Sequence, residues 1–414
     1  MTLDRDLRVF YAFRLLATSY LYVPIFMVFQ ADRGLSYFER LALGGIYAGV
    51  VVLAELPTGV FADRIGRRRS MQLGALAMVG SCALAVCAHG FTTFAVAEAL
   101  AALSIALCSG ADSAYLYDLL ASHGRTADYS RRESTASAWH LVGSALGFAA
   151  GGLLASIDLA LPYVITGAVA AAAAVVACAM RDDRPARTGR ANAGVRVWWR
   201  HTVDAVTEVG VNGRLAWLVG YSAVMFLLLR ATAYVYQPYL AECGLSTGAI
   251  GFVFAGGYLI SALAANATHR LRARFGDEAL LWGVLGALAV GFVGLAGARH
   301  GAWMLVLLLI QAVANGIYSP LIKPLLNREV ADSRRRAAVL SVESMIRRAA
   351  MGLFAPLAGL YGQGDGMVLC GAVALGGFAV LAVGRWGVPT VIAIDSVRRP
   401  DQTARPDGDA SRSH

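Results

Sequence analysis

Hydrophobic positions in this chain come in long, nearly unbroken runs rather than in the alternating or striped patterns of soluble strands and helices. An α-helix needs about 20 mostly apolar residues to cross the hydrocarbon of a bilayer. Runs of that length occur near residues 8–30, 38–62, 70–89, 92–121, 133–156, 159–180, 214–240, 246–270, 278–298, 301–326, 336–361 and 366–388. The pattern predicts an all-α polytopic membrane protein with twelve transmembrane helices. One long connection divides six spans from six. The expected units are therefore an N-terminal six-helix half (1–180), a cytoplasmic linker (181–213), a C-terminal half (214–390) and a disordered cytoplasmic tail (391–414). Within the linker, Val195, Trp199, Val203, Val206 and Val209 recur at helical spacing beside Arg196, Arg200, Asp204 and Glu208, which predicts an amphipathic helix on the membrane surface. A plain linker is the alternative.

Composition agrees. The 414 residues are 57% hydrophobic and only 15% charged, which excludes a disordered chain, a secreted disulfide scaffold and a nucleic-acid-binding domain. The net charge of +9 carries less information than its placement. Arg64, Arg67, Arg68 and Arg69 follow span 2, Arg125, Arg131 and Arg132 follow span 4, and Arg181, Arg184, Arg187 and Arg190 open the linker. Arg270, Arg272 and Arg274 follow span 8, and Arg328, Arg334, Arg335 and Arg336 follow span 10, while the alternate loops hold little beyond Arg33, Arg40 and Arg299. All basic loops fall on one face, which the positive-inside rule makes cytoplasmic. A bacterial plasma membrane with both termini inside is expected, and no cleavable signal peptide is expected. The six cysteines are scattered without zinc spacing and read as packing residues, so no metal is expected.

The halves repeat at an offset of 210 residues. Tyr20-Leu-Tyr22-Val-Pro24 returns as Tyr234-Val-Tyr236-Gln237-Pro238, Gly34-Leu-Ser36 as Gly244-Leu-Ser246, and Arg64-Ile-Gly66 as Arg274-Phe-Gly276. An even number of spans separates the copies, so the halves run in parallel, an architecture of secondary transporters with the site between the halves.

Between spans 2 and 3 the chain reads Gly59-Val-Phe-Ala-Asp63-Arg64-Ile-Gly66-Arg67-Arg68-Arg69. Gly59 lets two helices approach, Gly66 permits a tight turn, and Asp63 can accept bonds from a helix N-terminus or from arginines of the other half. The loop resembles the signature G-x-x-x-D-R/K-x-G-R/K-R/K of the major facilitator superfamily, with every defined position filled. That resemblance covers all twelve spans and implies a loop that latches the halves together in the outward-open state, with Gly59, Asp63, Arg64, Gly66, Arg67 and Arg68 as the latch residues. In the second half Ala273 and His269 replace the Asp and the first Gly, which leaves the latch to the N-terminal half. Glu55-Leu-Pro57-Thr58-Gly59, with Ser109-Gly110-Ala111 and Tyr117-Asp118, resembles a bacterial E-x-P-T-G permease branch. Gly143, Gly147, Gly151 and Gly152 on span 5 resemble the glycine motif of drug–proton antiporters; a small-residue packing face is the other reading. Many proton-coupled members carry an arginine near the position of Glu98, so this chain departs from their coupling arrangement.

Ionisable residues inside spans are costly and mark cavities, relays or mutual pairs. Asp112, Glu98 and Glu343 are the proton-coupling candidates. Asp112 and Glu98 are fourteen residues apart and would share one face of a continuous span 4, whereas Glu343 and Arg347 are spaced to pair on span 11. Arg14, Glu55, Asp118 and Lys323 lie near cytoplasmic ends, where interfacial pairing accounts for them. The cavity candidates are Tyr20, Tyr22, Tyr47, Trp139, His140, Arg230, Tyr234, Tyr236, Gln237, Tyr258, Asn315, Tyr318 and Arg347. This aromatic and polar set suits amphipathic small molecules. No ATP-binding G-x-x-x-x-G-K-S/T loop or H-E-x-x-H motif occurs. The chain therefore reads as a non-enzymatic, cofactor-free, monomeric secondary transporter in the lipid bilayer, exporting small organic molecules against protons. A nutrient importer for an anionic substrate is the alternative, and a non-transporting sensor or lipid-handling protein on the same scaffold is a second.

Overall fold

In a computed structural model, residues 3–181, 195–297, 302–330, 336–362 and 364–386 are described. The tail, linker residues 182–194, Arg299 and residues 331–335 lie outside them. The described chain is helical: α1 (Leu3–Ala17), α2 (Phe26–Asp32), α3 (Tyr37–Ile65), α4 (Arg67–Val86), α5 (Phe91–Cys108), α6 (Ala111–Ala121), α7 (Tyr129–Ala155), α8 (Leu161–Ala179), α9 (Val195–Val211), α10 (Gly213–Glu242), α11 (Thr247–Phe275), α12 (Asp277–Gly297), α13 (Ala302–Glu329), α14 (Arg336–Gly359) and α15 (Gly366–Trp386). Ten spans among the described residues are long and apolar enough to cross a membrane, one of them running through both α5 and α6. The first expected span and charge-bearing α14 are not among those ten, yet α1 packs on α8, and α14 lies between α3 and α10.

The internal repeat is visible in the local geometry. Ser36 and Ser246 cap α3 and α11 with nearly the same backbone angles, each accepting a bond from the third helical N–H. The glycines just before them, Gly34 and Gly244, have φ of 83° and 81°. Gly66 and Gly276, which end the same two helices, have φ of 97° and 79°, a region that side chains rarely tolerate. Turn chemistry thus marks equivalent corners in both halves.

Two of the expected spans are broken, where hydropathy had read them as continuous. Span 1 stops at Ala17 and resumes at Phe26. Thr18 and Ser19 turn their hydroxyls back onto the carbonyls of Arg14 and Leu15, at 2.6 and 2.7 Å, which competes with the helix ladder, and Pro24 cannot donate to it. Side chains from elsewhere complete the freed backbone. Thr166 Oγ1 accepts from Leu21 N at 3.0 Å, Gln237 Oε1 accepts from Met27 N at 2.9 Å, and Gln237 Nε2 donates to Val23 O at 2.9 Å. Such repair is required of irregular backbone at membrane depth. Span 4 breaks at Ser109–Gly110, where Gly110 has φ of 78°. Glu98 and Asp112 consequently sit on different helices, and the single helix face expected for them does not exist.

Contacts between the halves run along α3–α14 and α7–α11. They concentrate at the end remote from the basic loops. There Gly152 on α7 meets Gly251 on α11 so closely that a Cβ on either would lie 2.7 Å from the other's Cα. Ser156 Oγ and Thr247 Oγ1 are hydrogen-bonded at 3.0 Å across the same seam, and a Cβ on Gly359 would lie 2.8 Å from Phe38 Cα. The glycine ridge of span 5 is a packing face here: Gly143 and Gly151 lie against the Leu15 and Leu21 carbonyls of the first span, and Gly152 against the other half. At the basic-loop end the halves part, leaving Pro57, Gly59, Val60, Phe61, Asp63 and Arg64 of α3 exposed. Gly59 faces open space rather than a packed helix, because this end of the bundle is apart.

The described part of the linker holds helix α9, which docks on α10 and α14. Among its described side chains Ala205 and Val209 are buried, whereas Val203 and Val206 of the expected apolar stripe are exposed.

Candidate functional site

Closure at one end and separation at the other leave a cavity of about 420 Å³ between the halves, midway along the helices. The broken first span supplies one wall with Arg14, Thr18, Tyr20, Tyr22 and Phe26. Tyr47 on α3, Glu98 on α5, Asp112 on α6 and His140 on α7 complete the N-terminal side. The C-terminal half contributes Phe226, Arg230 and Tyr234 from α10, Tyr258 from α11, and Arg348 and Met351 from α14. The breaks make this lining possible, since an uninterrupted helix would present only one stripe of side chains to the cavity.

Of the residues singled out by sequence, Tyr20, Tyr22, Tyr47, Glu98, Asp112, His140, Arg230, Tyr234 and Tyr258 are brought together here. Trp139, next to His140, is exposed. Gln237 is fully buried and clasps the break in span 1 instead of lining the cavity. Tyr236 packs edge-on against Phe254. Asn315 donates to Ser261 Oγ at 3.2 Å, between helices of the C-terminal half. Glu343 receives a short bond from Ser222, whose hydroxyl also meets Tyr318 OH at 2.7 Å, and Arg347 lies 3.6 Å away. This group is a buried polar knot joining α10, α13 and α14. Arg347 also lies over the Phe226 ring, 4.8 Å from its centroid.

Ion pairing sorts the cavity charges. Arg14 pairs with Asp112 across the N-terminal half, with both side chains mostly buried. Arg348 lies 3.8 Å from Glu55 and ties α14 to α3 near the open end. Gln30 Nε2 donates to Glu98 at 3.2 Å. Arg230 lies 5.7 Å from the Phe226 ring centroid. Sequence reading placed Arg14 and Glu55 at an interface and left Arg348 off the site. Arg14 reaches the cavity because α1 begins at Leu3 and runs three turns before it. The missed signal was the hydroxyl pair Thr18-Ser19 ahead of Pro24, which locates the break.

The signature loop engages its own half in this structure. Arg67 pairs with Asp118 and donates to Ala114 O at 3.1 Å, and Arg68 donates to Met180 O at 3.3 Å. Asp63 is largely exposed, 4.0 Å from Arg67. Among the described residues, Asp63 and Arg64 form no ion pair or hydrogen bond with the other half.

A sequence model of the Major Facilitator Superfamily matches residues 9–356. No curated protein sequence matches the chain. Among solved structures, a mutant of the nucleoside transporter NupG is similar with a TM-score of 0.80 at 12% identity, covering 92% of this chain and 100% of that one. A mutant of the peptide transporter POT in complex with alafosfalin gives 0.69 at 14%, covering 91% and 92%. A bacterial homolog of the human lysosomal transporter Spinster, in an inward-facing and unoccupied conformation, gives 0.69 at 16%, covering 92% and 96%. At such identities the likeness is one of fold.

Proposed function

This chain belongs to the major facilitator superfamily and is a multi-pass membrane transporter, and from that premise we propose that it exports small amphipathic organic molecules in exchange for protons. The observation that carries the proposal is the arrangement of one polar, tyrosine-rich cavity, shut at one end by Gly152–Gly251 and open at the other. Alternating access requires such a chamber, with two seams that close in turn. The basic-loop end is taken as cytoplasmic from the charge bias, so the conformation faces inward and the chain acts as a monomer of twelve spans. The signature loop then latches the halves when they swing together at that end.

Asp112 is the carboxylate we assign to the proton. It lines the cavity in the first turn of α6, just after the break from α5, and pairs there with Arg14 of α1. Protonation would dissolve that pair, release Arg14 and alter how α6 sits against α1. Glu343 lacks this freedom, being held by Ser222 and Arg347 away from the cavity. Substrate flux into proteoliposomes with and without an imposed pH gradient tests the assignment. Wild-type flux should follow the gradient, and Asp112→Asn should carry substrate with the gradient dependence gone; a variant as strongly driven as the wild type would remove Asp112 from the mechanism. Import of an anion-bearing nutrient is the second reading, favoured by the Arg230 guanidinium in the cavity wall. Deletion separates the two: export predicts sensitivity to toxic amphiphiles, and import predicts failure to grow on one nutrient.

A further inference from the structure

The cavity charges do not all cancel. Asp112 balances Arg14, and Glu55 balances Arg348. Two lining groups are left over. Glu98, on the N-terminal half, has an amide donor but no cation within ion-pair distance among the described residues. Arg230, on the C-terminal half, has an aromatic ring but no carboxylate within ion-pair distance among the described residues. Both line the one cavity that Tyr47 and Tyr234 also line, Glu98 from the N-terminal half and Arg230 from the C-terminal half. An isolated charge at membrane depth is costly, and two groups of opposite sign in one tyrosine-lined cavity form an arrangement that a ligand can complete.

We infer that the cavity binds a zwitterion, its ammonium on Glu98, its carboxylate or other oxyanion on Arg230, and its apolar body among Tyr22, Tyr47 and Tyr234. The inference rests on the transporter reading above and gives it a substrate class. Gln30, itself buried, fixes the Glu98 carboxylate by donating to it, and the planar guanidinium of Arg230 suits a two-oxygen acceptor. Because the two anchors belong to different halves, a bound zwitterion bridges them. A molecule with one charge satisfies one wall and leaves the other charge desolvated and unpaired, which is how a polar site rejects near-isosteres. Neutral amphiphiles leave both.

The test is equilibrium binding to the purified full-length protein at neutral pH with no gradient, so that it stands apart from any question of proton coupling. The probes are matched triples built on phenylalanine, tryptophan and 6-aminohexanoic acid: the zwitterion, its methyl ester and its N-acetyl derivative. In at least one triple the zwitterion should bind about tenfold or more tightly than either singly charged relative. Glu98→Gln should erase the preference over the N-acetyl compound and keep the preference over the ester. Arg230→Gln should do the reverse, and Arg230→Lys should restore part of what Arg230→Gln loses. Each variant thereby reports its own folded state through the preference it retains. The inference is overturned if no zwitterion binds, if a singly charged member binds most tightly in every triple, or if both variants leave the wild-type ranking unchanged. Gradient-driven flux of a cationic or neutral compound by a protein that binds no zwitterion would overturn this inference and leave the transporter reading intact.

Discussion

Replacing Asp112 by asparagine is expected to destabilise the protein by about 3–5 kcal/mol, the usual cost of breaking a buried pair and stranding one partner. Arg14 would be the stranded group. Its side chain is 16% exposed, and it lies beside the buried contacts of α1 with α8 and α7. Removing both charges together, as Arg14→Leu with Asp112→Asn, should recover most of the loss, because an apolar replacement of a buried pair is often close to neutral. Thermal unfolding of the two single variants and the double variant makes the cycle. Additive losses in the double variant would show that the pair contributes nothing as a pair. The same double variant should transport without responding to a pH gradient, which separates its folding from its coupling.

At the opposite end of the bundle, Gly152→Val should shift the conformational balance rather than the stability of either half. A Cβ at position 152 would lie 2.6 Å from Thr247 O and 2.7 Å from Gly251 Cα. Those are backbone atoms and cannot swing aside as a flexible side chain would. Overpacking costs about 1–3 kcal/mol where neighbours can adjust, and the cost falls only on the state in which α7 and α11 touch at this point. A substitution that penalises one of two states moves the population towards the other, here to the state open at the end remote from the basic loops. Spin labels at Ile157 and Ala241, one on each half at that end, should report a longer distance in Gly152→Val than in the wild type. Unchanged distances would mean that Gly152–Gly251 is not a gate.

Much of this architecture was legible in the chain because it depends on local chemistry. The serine caps at Ser36 and Ser246 and the positive-φ glycines at positions 34, 66, 244 and 276 are properties of a few adjacent residues, and the offset of 210 exposes them. The polar candidates of the cavity were legible by type, and seven of them meet there, together with Glu98 and Asp112. Depth was not legible. Hydropathy sums over a window and does not register a helix that stops at Ala17 or turns at Gly110, so Arg14 was assigned to an interface, and Glu98 and Asp112 to a single helix. Partnership across the halves was not legible either. Gln237 resembles a cavity residue in sequence, yet its amide is consumed by the backbone of residues some 210 positions away. Likewise Glu343 and Arg347 were expected to pair from their spacing and do so, while Ser222 and Tyr318, which complete that knot, carry no sequence signal linking them.

The hydroxyls of Ser156 and Thr247 touch across the closed seam, which offers a direct way to stop the two halves from parting. Cysteines at these two positions, in a background with the six native cysteines replaced, would place two thiols within bridging reach of each other. If the halves must separate at this end for the cavity to change sides, oxidation should abolish substrate flux in proteoliposomes and a reducing agent should restore it. Undiminished flux with the bridge formed would contradict the account.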